Sequence, residues 1–195
     1  MKILVTSDRA RTEMTMLETP RLLLRPWQNS DREAFHRMTA DERVMEFFAG
    51  LLSRAESDAT IDRIQAHFAQ HGFGLFAAEL RATGEFIGFV GLSRVPFEAH
   101  FTPCVEIDWT IAAAYWNQGL ATEGARACLR CAFEELALAE VVAFTVPANQ
   151  RSRRVMEKLG MAHDPADDFD HPHLPEGHPL RRHVLYRAGL LQSQP

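Results

Sequence analysis

The stretch that decides the fold is WTIAAAYWNQGLATE, residues 109–123, in which an apolar segment leads through a short turn into a series of small residues. Just upstream, VEIDWTI over residues 105–111 alternates polar and apolar side chains, which is typical of a half-buried β-strand. Downstream, apolar residues recur at helical spacing from Ala125 to Leu136. The sequence therefore predicts a strand, a tight loop and a helix that begins near Gly119.

The beginning of this helix is a candidate phosphate site. The first backbone N–H groups of a helix have no partners within it and lie at the positive end of its dipole. Here they belong to Gln118, Gly119, Leu120, Ala121 and Thr122. Small residues at 119 and 121 leave room for an anion to approach these groups. The alternative is that Gly119 only shapes the turn.

A second segment with the same character follows. VVAFTV, residues 141–146, is apolar enough for a strand covered on both faces. It leads into NQRSRRVMEKLGM, residues 149–161, which predicts a short helix with Asn149 as its N-cap and Gly160 at its end. The chain order is thus strand, phosphate-type loop and helix, strand, capped helix.

That order, with these residues, resembles the GNAT superfamily of acyl-CoA-dependent N-acetyltransferases. The loop at 116–121 is similar to the pyrophosphate loop of the superfamily, although Asn117 stands where glycine is common, and residues 149–161 resemble its second cofactor segment. RLLLRPW, residues 21–27, resembles the opening strand of the ribosomal-protein N-terminal (alanine/serine) acetyltransferase branch, to which the likeness is closest. The resemblance covers roughly Leu17 to Arg187.

The resemblance implies a fold and a cosubstrate. The expected fold is α/β (α+β), a single GNAT-type domain with a mixed, mostly antiparallel twisted sheet, a splayed central strand pair and helices on both faces. Acetyl-CoA is the expected cosubstrate, and no metal is expected. The residues expected to bind acetyl-CoA are Thr110, Ile111, Gln118, Gly119, Leu120, Ala121, Thr122, Asn149 and Ser152.

Two residues are candidates for catalysis by the same resemblance. Glu106 occupies a strand position where several members place a carboxylate that acts as a base through water, with Asp108 on the same face; the alternative is a solvent-facing carboxylate. Ser152 resembles a serine placed near the thioester sulfur; the alternative is a hydroxyl that only satisfies the helix start. Backbone N–H groups at Thr110 and Ile111 are expected to polarise the acetyl carbonyl.

These features predict an acyltransferase that moves an acetyl group from acetyl-CoA to a primary amine, either a protein N-terminus or a small amine, by direct attack in a ternary complex. The alternative is a catalytically idle acyl-CoA-binding domain that serves as a sensor or assembly part. The presence of both Glu106 and Ser152 favours the enzyme.

Composition narrows the remaining possibilities. The formal net charge of -5 argues against nucleic-acid binding. No apolar run is long enough to span a bilayer, and three cysteines form no disulfide framework. We therefore expect a cytoplasmic monomer or homodimer without a membrane partner. Cys128 and Cys131 have CxxC spacing, but one such pair favours core packing over a metal or redox site.

Three further expectations concern the domain limits and the histidines. Residues 1–16 are predicted to be a flexible extension, or an over-long start because Met14 and Met16 could each begin the chain, and residues 17–195 to form the single domain. The Asp- and His-rich segment from Asp164 to Leu180 is a solvated loop, a lining of the acceptor pocket or, less favoured, a metal site. His67 and His71 are predicted to lie on a solvated helix face.

Overall fold

The structure is a computed structural model that describes residues 3–8 and 11–189 of the 195-residue chain, with side chains from residue 16 onward. Its strands are β1 (Ile3–Asp8), β2 (Arg11–Glu18), β3 (Leu22–Arg25), β4 (Leu75–Leu80), β5 (Glu85–Arg94), β6 (Val105–Ile111), β7 (Glu140–Thr145), β8 (Ala162–His163), β9 (Phe169–Asp170) and β10 (Arg182–Gly189). Its α-helices are α1 (Asp31–Thr39), α2 (Glu42–Met45), α3 (Arg54–His71), α4 (Leu120–Glu134) and α5 (Gln150–Lys158).

The strands form one mixed sheet in the order β1-β2-β3-β4-β5-β6-β7-β10-β8, with β9 paired to β10. Every neighbouring pair in the described part of the chain is antiparallel except β6 and β7, which are parallel. A parallel pair needs a crossover connection, and α4 supplies it. The predicted mixed, mostly antiparallel sheet is confirmed.

The parallel pair is splayed. Within the described residues, β6 and β7 are in register at one position, where Glu106 lies opposite Val142. The remainder of β6, up to Ile111, therefore has an edge without a paired strand. This opening lies in the middle of the sheet, beside the first turns of α4 and α5.

Helices cover both faces of the sheet, as predicted. The main core lies between α4 and the sheet and includes buried Ala125, Cys128 and Ala132, which confirms the apolar stripe and the packing role of Cys128. A second core packs α1 and α3 on the opposite face around Trp27, Phe35 and Ile61.

Local signals explain where the longest helix begins and ends. The Ser53 side chain accepts from the Glu56 backbone N–H, and the Glu56 carboxylate accepts from the Ser53 backbone N–H, which is a capping box. At the other end Gly72, at φ +74°, adopts the left-handed conformation that ends α3. The four-residue α2, capped by Asp41, was not predicted.

The second arginine of the RLLLRPW segment, Arg25, forms part of a buried ion-pair cluster. Arg25 donates both terminal guanidinium nitrogens to the two Asp31 carboxylate oxygens at 2.8 Å, and its Nε donates to Glu79 at 2.6 Å. The Gln28 backbone N–H also donates to Asp31. The cluster joins β3, β4 and the first turn of α1.

The predicted extension over residues 1–16 coincides with β1 and most of β2. The backbones of these strands form an antiparallel pair that continues the sheet beyond β3. The flexibility of this segment and its place in the natural protein stay predictions.

Candidate functional site

The loop before α4 presents open backbone donors. Gly119 is the N-cap residue at φ +76°, and no side chain caps the helix. Asn117 is also left-handed at φ +60°, a conformation that asparagine tolerates better than most residues, which explains how it replaces a glycine here. Residues 117–119 are exposed. The amides of the first turn therefore face outward as an anion site requires.

The same loop is fixed to the start of β3. Glu123, in the first turn of α4, accepts from the Thr19 hydroxyl at 2.6 Å and from Arg21 Nε at 2.6 Å. Arg21 Nη1 also donates to the Gln118 carbonyl at 2.8 Å. These bonds neutralise the carboxylate closest to the loop and hold the loop in place.

The start of α5 is organised by Asn149. Its Oδ1 accepts from the Ser152 backbone N–H at 3.2 Å, and its Nδ2 donates to Thr145 Oγ1 at 3.0 Å and to Ser152 Oγ at 3.1 Å. The Ser152 hydroxyl is thus an acceptor here, and its hydrogen is free to donate to another group. Asn149 performs the capping, so the Ser152 side chain does not satisfy the helix start.

Arg151 joins the two predicted cofactor segments. Its guanidinium lies 4.4 Å from the centre of a Trp116 ring, a cation–π contact, and it forms a 2.6 Å ion pair with Glu46 just after α2. Trp116 Nε1 in turn donates to the Ile111 carbonyl at 2.7 Å. The loop before α4 and the start of α5 therefore meet at the splayed end of β6.

Alternation along β6 decides which backbone groups face the opening. The Ala112 N–H donates to the Ile87 carbonyl of β5 at 2.8 Å, so the backbone groups of Thr110 also point to β5 and those of Ile111 point the other way. Of the two predicted carbonyl-polarising groups, the Ile111 N–H lies on the open edge. Thr110 faces the site through its side chain instead.

Two carboxylates lie on one face of β6. Glu106 and Asp108 are both half-buried, unlike the solvent-facing residues considered in the sequence analysis. Burial, with the nearby charge of Asp108, raises the pKa of Glu106 well above 4.5. Burial also raises the pKa of Asp108 to about 6, partly offset by the Trp109 backbone amide. A pKa moved toward neutrality suits a residue that exchanges protons.

A cavity of about 550 Å³ opens on this face, between the sheet and α1 to α3. Asp108 and Thr110 line its floor, and the loop between α2 and α3 forms its rim. This pocket was not predicted from the sequence. The sequence feature that could have indicated it is FFAGLL, residues 47–52, an apolar run that is too short for a helix and is interrupted by glycine.

The structure narrows the alternatives for the segment 164–180 and corrects the expectation for His67. The segment 164–180 does not line this cavity; Asp167 pairs with Arg187 at 2.7 Å and Asp168 with His163 at 2.8 Å. His67 is half-buried rather than solvated, and each of its ring nitrogens has a backbone hydrogen-bond partner.

The family is decided by comparison with known proteins. The family described as "Acetyltransferase (GNAT) domain" matches residues 21–162, well over half of the chain. The chain belongs to the GNAT acetyltransferase family.

Several GNAT relatives are similar over most of the chain. "Uncharacterized protein YkkB" of Bacillus subtilis is 34% identical over 148 residues, which cover 75% of this chain and 85% of that protein. "FsC-acetyl coenzyme A-N(2)-transacetylase" of Aspergillus fumigatus is 35% identical over 158 residues, covering 75% of this chain and 65% of that protein. A GNAT-family acetyltransferase structure from Bacillus anthracis has a TM-score of 0.74 at 26% identity, covering 90% of this chain and 98% of that one.

A more distant structure shares the fold: Mycobacterium smegmatis RimJ in complex with CoA-disulfide, with a TM-score of 0.71 at 22% identity, covering 89% of this chain and 84% of that one. As a GNAT protein, the chain is an acetyl-CoA-dependent N-acetyltransferase with acetyl-CoA as cosubstrate. Within the described residues, no group of three or more His, Cys, Asp or Glu side chains is placed to hold a metal ion. The same residues include no helix long and apolar enough to cross a bilayer.

Proposed function

We propose that this GNAT enzyme acetylates a primary amine by direct attack on acetyl-CoA in a ternary complex, with Glu106 as base and Ser152 as the group that assists the leaving thiolate. The observation that supports this most is the position of the two carboxylates. They lie on the strand that splays from its parallel neighbour, and Asp108 forms the floor of a pocket large enough for an acceptor.

In this mechanism acetyl-CoA binds with its pyrophosphate on the amides of Gln118 to Thr122. The pantetheine arm enters the opening between β6 and β7, next to Asn149 and Ser152. The acetyl carbonyl oxygen accepts from the Ile111 N–H, and Thr110 contacts the acetyl end from the floor of the pocket. Backbone donors fixed in this way stabilise the oxyanion that forms during attack.

The amine must lose its proton to attack. Glu106, acting through a water molecule, accepts that proton, and the nitrogen lone pair forms the new bond to the thioester carbon. The tetrahedral intermediate then collapses: the carbon–sulfur bond breaks, CoA leaves as the thiolate, and the nitrogen gives its second proton to that thiolate. The Ser152 hydroxyl, whose hydrogen is free, donates to the departing sulfur.

The acceptor is a protein N-terminus or a small amine. RimJ and a structure titled as a putative ribosomal-protein-serine acetyltransferase from Vibrio cholerae share the fold at 22% and 18% identity. They are consistent with the N-terminal acetyltransferase branch that RLLLRPW suggests. The fungal relative's name describes acetyl transfer to an N(2) position with FsC, which supports an acceptor other than a protein N-terminus. The three free cysteines fit a reducing, cytoplasmic setting.

The test combines thiol release with product mass. The protein is incubated with acetyl-CoA and a panel of small amines and peptides, and initial rates are measured while both substrates are varied. We expect an acceptor heavier by one acetyl group and intersecting double-reciprocal lines. Parallel lines, or an acetylated protein that forms without any acceptor and transfers its acetyl group, would contradict direct attack.

A further inference from the structure

We infer that the acceptor is a primary amine with an apolar body, which the cavity between the sheet and α1 to α3 encloses while Asp108 pairs with the ammonium group. This inference rests on the proposed function and adds the chemical class of the acceptor. It follows from the juxtaposition of one unpaired carboxylate on the floor with walls that are mainly apolar.

The walls are mainly apolar and come from every element that surrounds the cavity. The sheet contributes Leu75 and Phe89, α1 and α2 contribute Phe35 and Met45, and α3 contributes Ile64. A ligand body that fills this volume removes apolar surface from water on both sides, which is favourable for an apolar body and not for a polar one.

Most polar side chains on the walls are already occupied within the protein. The Thr39 hydroxyl donates to the Phe35 carbonyl at 3.1 Å, and Thr60 donates to the Glu56 carbonyl at 2.8 Å. Arg63 Nη2 donates to Thr60 Oγ1 at 2.8 Å. Ser93 and the remaining N–H groups of the exposed Arg63 are further polar groups on these walls. A polar acceptor body would therefore find few partners to replace the hydrogen bonds that it loses to water.

Two other ionisable groups on the lining, Glu56 and His67, have hydrogen-bond partners as well. Glu56 accepts from the Ser53 hydroxyl at 2.6 Å, in the capping box. His67 Nδ1 lies 3.0 Å from the Phe73 carbonyl, and His67 Nε2 accepts from the Arg94 N–H at 3.1 Å. Neither side chain is therefore available as the principal anchor for an acceptor.

The floor differs from the walls. Asp108 has no ion pair and no hydrogen bond to another side chain in the described part of the chain, and Glu106 adds a second carboxylate on the same face of β6. An ammonium group is the cation that an amine acceptor brings, so charge complementarity fixes which end of the acceptor enters first. The apolar body then lies toward the rim.

The rim is the most exposed apolar surface of the described residues. Phe48 and Leu51, at 45% and 49% exposure, are its large exposed hydrophobic side chains. Exposed apolar groups that flank a concave site are typical of ligand contacts. An acceptor with an apolar body would cover both, whereas a small polar amine would leave them in water.

The experiment compares matched acceptors with the full-length protein at saturating acetyl-CoA. One pair is 2-phenylethylamine against 2-methoxyethylamine; the other is a Leu-initiated peptide against a Ser-initiated peptide of otherwise identical sequence. We expect kcat/KM to favour the apolar member by about 10-fold or more, since each methylene in an apolar pocket contributes at least that order of discrimination. The pair that shows the larger preference indicates whether the acceptor is a small amine or a peptide N-terminus.

Two variants and a control test whether the rim residues cause the preference for the apolar acceptor. Phe48→Ser and Leu51→Ser, at exposed positions where folding is least sensitive, should reduce it to about threefold or less. Leu174→Ser, in the segment 164–180 outside the cavity, should leave it unchanged. Equal rates for both members, a preference for the polar member, or a preference that survives both rim variants would overturn the inference.

Amine binding in the presence of CoA separates the two proposals. Calorimetry should show that 2-phenylethylamine binds and that Asp108→Asn weakens it. If this binding holds but no amine is acetylated, the proposed function fails and the apolar class stands. If amines are acetylated without selectivity, the proposed function stands and the apolar class fails.

Discussion

The half-buried carboxylate of Asp108 destabilises the folded state, and we expect its removal to increase the free energy of unfolding. Burial raises the pKa of this carboxyl from 3.8 to about 6, although the backbone amide of Trp109 partly offsets the effect. The carboxylate therefore ionises more easily in the unfolded chain than in the folded protein. Asp108→Asn removes the charge while keeping the shape, so the variant should be more stable than the parent wherever the parent's Asp108 is ionised.

The magnitude follows from linkage. Below pH 3.8 the carboxyl is protonated in both states and the cost vanishes; it grows as pH rises and is complete above pH 6. At about 1.36 kcal/mol per pKa unit, the full cost is about 3 kcal/mol at pH 8 and about 0.5 kcal/mol at pH 4. Both are upper values, because the partial exposure of the side chain lets water screen the charge.

Urea unfolding at pH 5, 6, 7 and 8 measures this directly, with Glu176→Gln as the control because Glu176 is exposed. The Asp108→Asn gain should increase with pH and level off above pH 6, while the control stays within about 0.5 kcal/mol of the parent. A gain that does not change with pH, or a less stable variant at pH 8, would refute the reasoning.

Substitutions at four other positions test the site and the fold. Glu106→Gln should lower kcat by about 10²–10⁴-fold, with a smaller loss at high pH and unchanged acetyl-CoA affinity, in a pH–rate profile; a profile parallel to the parent's would exclude Glu106 as the base. Ser152→Ala should lower kcat by about 10²-fold yet shift the free energy of unfolding by less than about 1 kcal/mol, because the Asn149 side chain still caps α5. A lower denaturation midpoint together with the parent's kcat would show that Ser152 has a structural role. Gly119→Glu should abolish acetyl-CoA binding in calorimetry, whereas Gly119→Ala, which adds only backbone strain, should weaken it less; equal affinities would disprove the loop site. Arg25→Ala should cost about 3–5 kcal/mol in thermal unfolding because Asp31 is left buried without its partner, and a near-neutral change would argue against that cluster.

Local signals explain how much of the fold was predictable. The alternation of residues 105–111, the helical stripe through Cys128 and the Ser53 capping box depend on neighbours in sequence, and each marks an element of the structure. The family resemblance implied a splayed central strand pair, and in the structure that pair is β6 and β7. These features were predictable because the periodicity of a strand or a helix can be recognised within a short stretch of sequence.

The acceptor pocket was not predictable by the same means. It forms where Phe35, Phe48 and Phe89 converge from α1, a loop and β5, and no short window places them together. The contacts of Arg151 could not be predicted for the same reason, since Glu46 lies more than a hundred residues away in sequence. The role of Arg25 was also missed, because a buried ion pair and an exposed strand arginine look alike in sequence.

The measurement that tests the account most directly is a crystal structure of the protein with acetyl-CoA. We expect the pyrophosphate within hydrogen-bond distance of the amides of residues 118–122, the pantetheine arm in the opening between β6 and β7, and the acetyl carbonyl on the Ile111 N–H. The acetyl group should then face the cavity floored by Asp108. A pyrophosphate bound elsewhere, or an acetyl group on the far side of β6 from that cavity, would contradict the account.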